Sequence, residues 1–120
     1  MDGLNTGELQ IEIHERPESI ECRWTGRSSE RNPAQVLVPF FSGVLTRAGE
    51  AGAPVEMRFE ALEHFNSSTV TALIKLIQEA RSREVKLVIV YDQKLKWQKL
   101  SFDALQVFVR DDGLLELRTV

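Results

Sequence analysis

The segment Val85-Lys86-Leu87-Val88-Ile89-Val90-Tyr91 constrains the fold more than any other stretch of the chain. Apart from Lys86 it is apolar at odd and even positions alike. As a strand it therefore presents apolar side chains to both faces of a sheet, the pattern of a central strand. The run is rich in β-branched residues and too short for a buried helix. It is also far short of the ~20 residues that cross a bilayer, as is the other long apolar run, Val36 to Phe41, so no membrane insertion is expected.

The segments around it supply the rest of a sheet. Leu9, Ile11 and Ile13 alternate with Gln10, Glu12 and His14, the period of a half-buried strand. A turn at Arg16-Pro17-Glu18 leads to a second alternation, Ile20, Cys22 and Trp24, so the pair reads as an antiparallel hairpin with one wet face. Asn32 and Pro33 suit the N-cap and first position of a helix carrying Val36, Leu37, Phe40, Val44 and Leu45. Pro39 within it implies a kink or a later start. Gly49, Gly52 and Pro54 end that helix, and Val55, Met57 and Phe59 alternate as a third strand. Val70, Leu73, Ile74 and Ile77 then fall on one face of a helix running to about Arg83. Beyond Tyr91 a last helix is expected from about Leu95 to Val109, with Trp97, Leu100, Ala104, Leu105 and Phe108 inward. A turn at Asp111-Asp112-Gly113 leads to a closing strand with Leu115 and Leu117.

The order is ββαβαβαβ. It predicts a single α/β domain over residues 8–120, with a mixed sheet of about five strands and helices mostly on one face. Residues 1–7 are expected as a loose tail. The third strand, its helix and the central strand should form a right-handed parallel crossover.

Composition narrows the function classes. A chain of 120 residues, 42% hydrophobic and 28% charged, can bury a core without metal or disulfide staples. Cys22 is the only cysteine, which fits a reducing compartment, and no secretory signal is visible, so a cytoplasmic protein is expected. The net charge of −3 gives no reason to expect nucleic acid. Lys94, Lys96 and Lys99 surround Trp97, but that tryptophan fits the inward stripe and leaves the lysines solvated. Glu60, Glu63, Asp111 and Asp112 read as solvated surface. Neither His14 nor His64 is paired with a nucleophile by any known spacing, and there is no phosphate-binding glycine loop or Cys/His metal spacing. An enzyme, a metal and a cofactor are therefore not expected.

What remains is Asn66-Ser67-Ser68-Thr69, placed between the third strand and its helix. Such α/β units carry their functional groups just beyond the carboxyl ends of strands. Asn66 or Ser67 can cap the helix, yet three consecutive hydroxyls exceed what one cap needs. A phosphate here would meet free N–H groups and the positive end of the helix dipole, so the fold would tolerate it while a docked partner would not.

The stretch resembles the phosphoacceptor loop of STAS-domain proteins, the anti-sigma factor antagonists, in which Asp-Ser-Ser/Thr-Gly opens a helix after the third strand. Asn66 and Thr69 depart from that form. Phe65-Asn66-Ser67-Ser68 is closer to the SiaC-like phosphoprotein branch, and Gly26-Arg27-Ser28, Asn32-Pro33 and Pro39-Phe40-Phe41 also look like that branch. The resemblance covers residues 8–120 in element order and departs after Tyr91. It implies a STAS-like domain in bacterial signalling, with Ser67 as the phosphorylated residue and Asn66, Ser67, Ser68 and Thr69 at the partner surface. The implied partners are a serine/threonine kinase, a PP2C-type phosphatase and an effector, either an anti-sigma factor or a diguanylate cyclase. The alternative is a STAS domain that is never phosphorylated and serves as a scaffold or transporter-associated subunit.

Overall fold

In the computed structural model, which describes residues 1–120, the doubly apolar run forms an interior strand of a seven-stranded mixed sheet. The strands are β1 (Leu4–Thr6), β2 (Leu9–Glu15), β3 (Ile20–Ser28), β4 (Val55–Arg58), β5 (Leu62–Phe65), β6 (Leu87–Tyr91) and β7 (Leu115–Thr119). The helices are α1 (Ala34–Ala51), α2 (Ser67–Ser82) and α3 (Lys96–Asp103), the last continued by a 3-10 helix over Ala104–Phe108. Strand order is β1-β2-β3-β4-β6-β7, with β5 paired to β3. Pairing is antiparallel through β1, β2 and β3 and parallel from β3 to β7.

The sequence expectation of about five strands falls short by two, and both misses have local causes. Residues 1–7 are not a loose tail throughout: Leu4, Asn5 and Thr6 pair with Ile11, Gln10 and Leu9, making an edge strand too short for a periodic signal. The expected third strand forms as β4, and an additional short strand, β5, follows it. β4 pairs with the first half of β3, up to Arg23, and β5 pairs with its second half, from Gly26. Between them the chain turns at Glu60-Ala61, where the Leu62 N–H donates to the carbonyl of the buried Phe59 at 2.9 Å. β3 has its own irregularity at Gly26, whose φ of 83° and whose closeness to the Glu8 carbonyl leave no room for a Cβ.

The interior side chains of all three helices join one core with one face of the sheet. Leu37, Phe41 and Val44 of α1 and Leu73, Leu76 and Ile77 of α2 cover Ile11, Cys22, Trp24, Met57 and Ile89. Trp24 stacks on Phe41 with ring centroids 5.6 Å apart and meets Phe59 at 4.7 Å. At about 2 kcal/mol or more for each large apolar side chain, this layer supplies most of the drive to fold. The remaining face carries no helix; on it Val88 and Val90 are buried (4% and 1% exposed) yet lie outside the core.

Two helix details differ from expectation. α1 begins at Ala34 with Pro33 in the capping position, and Asn32 contributes its carbonyl, not its side chain, by accepting from the Gln35 N–H. The stripe beyond Tyr91 differs in part. Leu105 is buried and Trp97 and Phe108 pack against the core as expected, but Gln98 and Phe102 are buried while Leu100, 74% exposed, and Ala104 face out. The difference arises because the buried face includes a polar residue. The side-chain amide of Gln98 donates to the carbonyls of Phe59 (2.7 Å) and Leu62 (3.2 Å), and its oxygen accepts from the Asp92 N–H. It thus bonds to backbone groups of the turn between β4 and β5. Tyr91 donates to Asp103 at 2.7 Å and fastens α3 to β6. Burial first, and the Asp103 carboxylate second, push the Tyr91 phenol up to about 12.

Candidate functional site

The loop from β5 into α2 is built by β3 and β5 together. The ladder between them continues past the strand ends, because the Asn66 N–H donates to the Ser28 carbonyl at 3.0 Å. That bond sets Asn66 in extended conformation, φ −94° and ψ 174°, the geometry of an N-cap. Its Oδ1 accepts from the Thr69 N–H at 2.9 Å, and its Nδ2 donates to the Glu30 carbonyl at 2.9 Å. Of the two caps the sequence allows, Asn66 is the one used.

Thr69 stands at the third helical position and is completely buried. Its hydroxyl donates to Asn66 Oδ1 at 2.8 Å, the shorter of two acceptors (the Ser28 carbonyl is at 3.3 Å), and lies 2.7 Å from Ser28 Oγ. A threonine hydroxyl has one proton. With that proton on Asn66, Ser28 is the donor in the second bond. The chain Ser28–Thr69–Asn66 therefore closes internally and joins β3 to the first turn of α2.

Ser67 is in the opposite condition. It occupies the first position of α2, is exposed, and its hydroxyl takes no part in this network. Ser68 beside it is half-buried. The N–H groups of Ser67 and Ser68 have no backbone partner, as expected for a first turn, and that turn holds no acidic residue. The helix end is therefore open to an anion on Ser67 Oγ, with two unpaired donors and the positive end of the dipole next to it.

The four predicted residues are thus brought together in one turn but divide by role: Asn66 caps, Thr69 locks, and the hydroxyls of Ser67 and Ser68 are unbonded, with Ser67 the exposed one. Sequence reasoning missed Ser28, the buried partner from β3. Its signal was weak, a serine at the end of an alternating strand. It also missed how Trp97 reaches the site. The indole packs edge-on against Phe65 at 5.2 Å and lies 6.4 Å from His64, so α3 walls the side of the loop. His64 therefore sits against an aromatic ring. Leu100 and Val107, 74% and 77% exposed, lie on α3 and on the 3-10 helix that follows it.

Comparison with known proteins places this geometry. No protein-family model matches the sequence, and no curated protein matches it. Solved structures do match. One is the Bacillus cell fate determinant SpoIIAA in its phosphorylated form, similar over 92% of this chain and 90% of that one, with a TM-score of 0.55 and 14% identity. At that identity the likeness concerns the fold. The chain is a mixed α/β domain of STAS-like fold, and no helix in it is long and apolar enough to cross a membrane.

Proposed function

We propose that this protein is a non-catalytic signalling module of STAS type, acting in the cytoplasm, whose binding to a regulatory partner is switched by phosphorylation of Ser67. One observation carries the reading: in a turn where Asn66 and Thr69 are tied into the fold, two hydroxyls are unengaged at an open helix N-terminus, and of these Ser67 is exposed while Ser68 is half-buried. A kinase can reach its hydroxyl without unfolding the cap. The phosphate adds roughly −1.5 to −2 charges at a place the backbone stabilises and changes the surface a partner meets. The fold's likeness to a protein solved in a phosphorylated form supports the same reading.

The partners that follow are a serine/threonine kinase, a PP2C-type phosphatase and an effector. The Phe65-Asn66-Ser67-Ser68 form favours the SiaC-like branch, and with it a diguanylate cyclase over an anti-sigma factor. Asn66, Ser67, Ser68 and the turn around Thr69 form the contact surface. The test is binding of unmodified protein, Ser67→Ala and Ser67→Asp to candidate effectors encoded beside it. Retention by Ser67→Ala and loss, or the reverse, by Ser67→Asp supports the switch. Equal binding by all three contradicts it.

A further inference from the structure

The helix-free face of the sheet carries a charge pattern that the Ser67 switch does not use. Three strands bear the same tripeptide form: Glu21-Cys22-Arg23 on β3, Glu56-Met57-Arg58 on β4 and Glu116-Leu117-Arg118 on β7. The middle residue of each points into or against the core, so the flanking glutamate and arginine share the bare face. Register aligns them. Glu21 lies opposite Glu56 and Arg23 opposite Arg58, while β6 places Val88 level with the glutamates and Val90 level with the arginines before Glu116 and Arg118 follow. The result is a band of carboxylates and a parallel band of guanidinium groups running across the strands.

Between β3 and β4 this order sets like charge beside like, Glu21 opposite Glu56 and Arg23 opposite Arg58, while β6 separates both from Glu116 and Arg118. Cross-strand neighbours are nearer than same-face neighbours along a strand, at about 5 Å against 6–7 Å, and like charges directly opposite one another destabilise a sheet. Alternating the signs from strand to strand would avoid that cost. Here the opposite charges instead pair along each strand, Arg23 with Glu21 at 2.7 Å, Arg58 with Glu56 at 2.9 Å and Arg118 with Glu116 at 2.8 Å. The bands cancel in net charge, so the face selects neither a polyanion nor a polycation. Its complement is the same two bands in inverted order.

A second copy supplies that complement. Turned by a twofold axis lying in the interface along the bands, it sets its arginines over the first copy's glutamates and its glutamates over the arginines. On β2 the order runs the other way, with Glu12 opposite Arg23 and His14 opposite Glu21, and the rotation sets Glu12 of one copy over the His14 imidazole of the other. From this self-complementarity we infer that the bare sheet face is the contact surface of a homodimer, packed sheet on sheet with strands antiparallel between copies. The antiparallel arrangement puts the two Ser67 loops at opposite ends of the assembly, where both remain accessible.

The test exploits the pattern. A band-inverted chain (Glu21→Arg, Arg23→Glu, Glu56→Arg, Arg58→Glu, Glu116→Arg, Arg118→Glu), with Arg16→Glu, Glu60→Arg and Lys86→Glu to preserve the pairs these three make with the bands, keeps every ion pair of the face. It should associate with itself but not with the wild type, because the mixed pair sets like charge over like. Sedimentation and native mass spectrometry of mass-tagged chains at low salt read this directly. Expected are wild-type dimers, dimers of the inverted chain and no mixed species, with dissociation to monomers near ~1 M salt, where the screening length falls to about 3 Å. Monomers at all concentrations in low salt, or mixed dimers in statistical proportion, overturn the inference. Should the inverted chain fail to fold, Arg118→Glu replaces it: Arg118 is half-exposed, and the change should weaken dimerisation at least about tenfold while the circular dichroism spectrum stays that of the wild type. Undiminished dimerisation in that variant counts against the face.

Discussion

Replacing Thr69 by valine tests whether the acceptor turn is built as described. The substitution keeps the shape and removes only the hydroxyl. In the structure that hydroxyl donates to Asn66 Oδ1 at 2.8 Å and accepts from Ser28 at 2.7 Å, in a site with no access to water. Each lost hydrogen bond is worth about 1 kcal/mol net, and Ser28, itself 2% exposed, is left with a buried donor lacking its acceptor. The expected loss is about 2–3 kcal/mol of unfolding free energy, read from urea denaturation curves with unchanged slope. The double variant Ser28→Ala/Thr69→Val should recover about 1 kcal/mol of that loss, since it also removes the stranded donor. Ser67→Ala, two residues earlier in the same turn, should change stability by less than about 0.5 kcal/mol. A neutral Thr69→Val, or a Ser67→Ala as costly as Thr69→Val, would refute the division between locked and free hydroxyls.

Other outcomes follow from the fold. Gln98→Leu should cost about 2–4 kcal/mol in the same assay, because it strands the N–H of Asp92 and removes the amide's hydrogen bonds to the carbonyls of Phe59 and Leu62. Phe102→Ala should cost about 3–5 kcal/mol, whereas Leu100→Lys, on the same short helix, should stay within about 0.5 kcal/mol; thermal melts decide between this face and the one first predicted. Stability should also fall in acid. Burial raises Glu21, but its hydrogen bonds to Arg23 and Arg16 outweigh burial and hold it below the ordinary 4.5; Arg118 and then Lys86 do the same for Glu116. A carboxyl whose folded value is depressed stabilises the fold above its unfolded value and loses that contribution as pH drops through the folded one. The melting temperature should therefore be flat near neutrality and decline below about pH 4.5. A maximum at acidic pH would contradict those ion pairs.

Much of this fold was legible because periodicity reports burial. The alternations at Leu9–Ile13 and Ile20–Trp24, the helical spacing from Val70 to Ile77 and the doubly apolar Leu87–Tyr91 all became the elements their patterns implied. What escaped notice lacked periodicity. Leu4–Thr6 is three residues long, and β5 carries apolar residues only at its ends, Leu62 and Phe65, three positions apart. The α3 face was misread in part because pattern analysis assigns glutamine to water, while Gln98 is buried against backbone groups of the turn between β4 and β5. At the site, the sequence could gather Asn66 to Thr69 but not rank them. Their roles depend on Ser28, which is distant in the chain and joined to Thr69 only by the pairing of β3 with β5.

If Ser67 is the residue modified in this turn, the intact mass of the protein isolated from its native cells, wild type against Ser67→Ala, will show it. The expected result is a species heavier by one phosphate in the wild type, mapped by fragmentation to Ser67 and absent from the Ser67→Ala protein. A phosphate that persists in that variant, or no phosphorylated species under any growth condition, would contradict it.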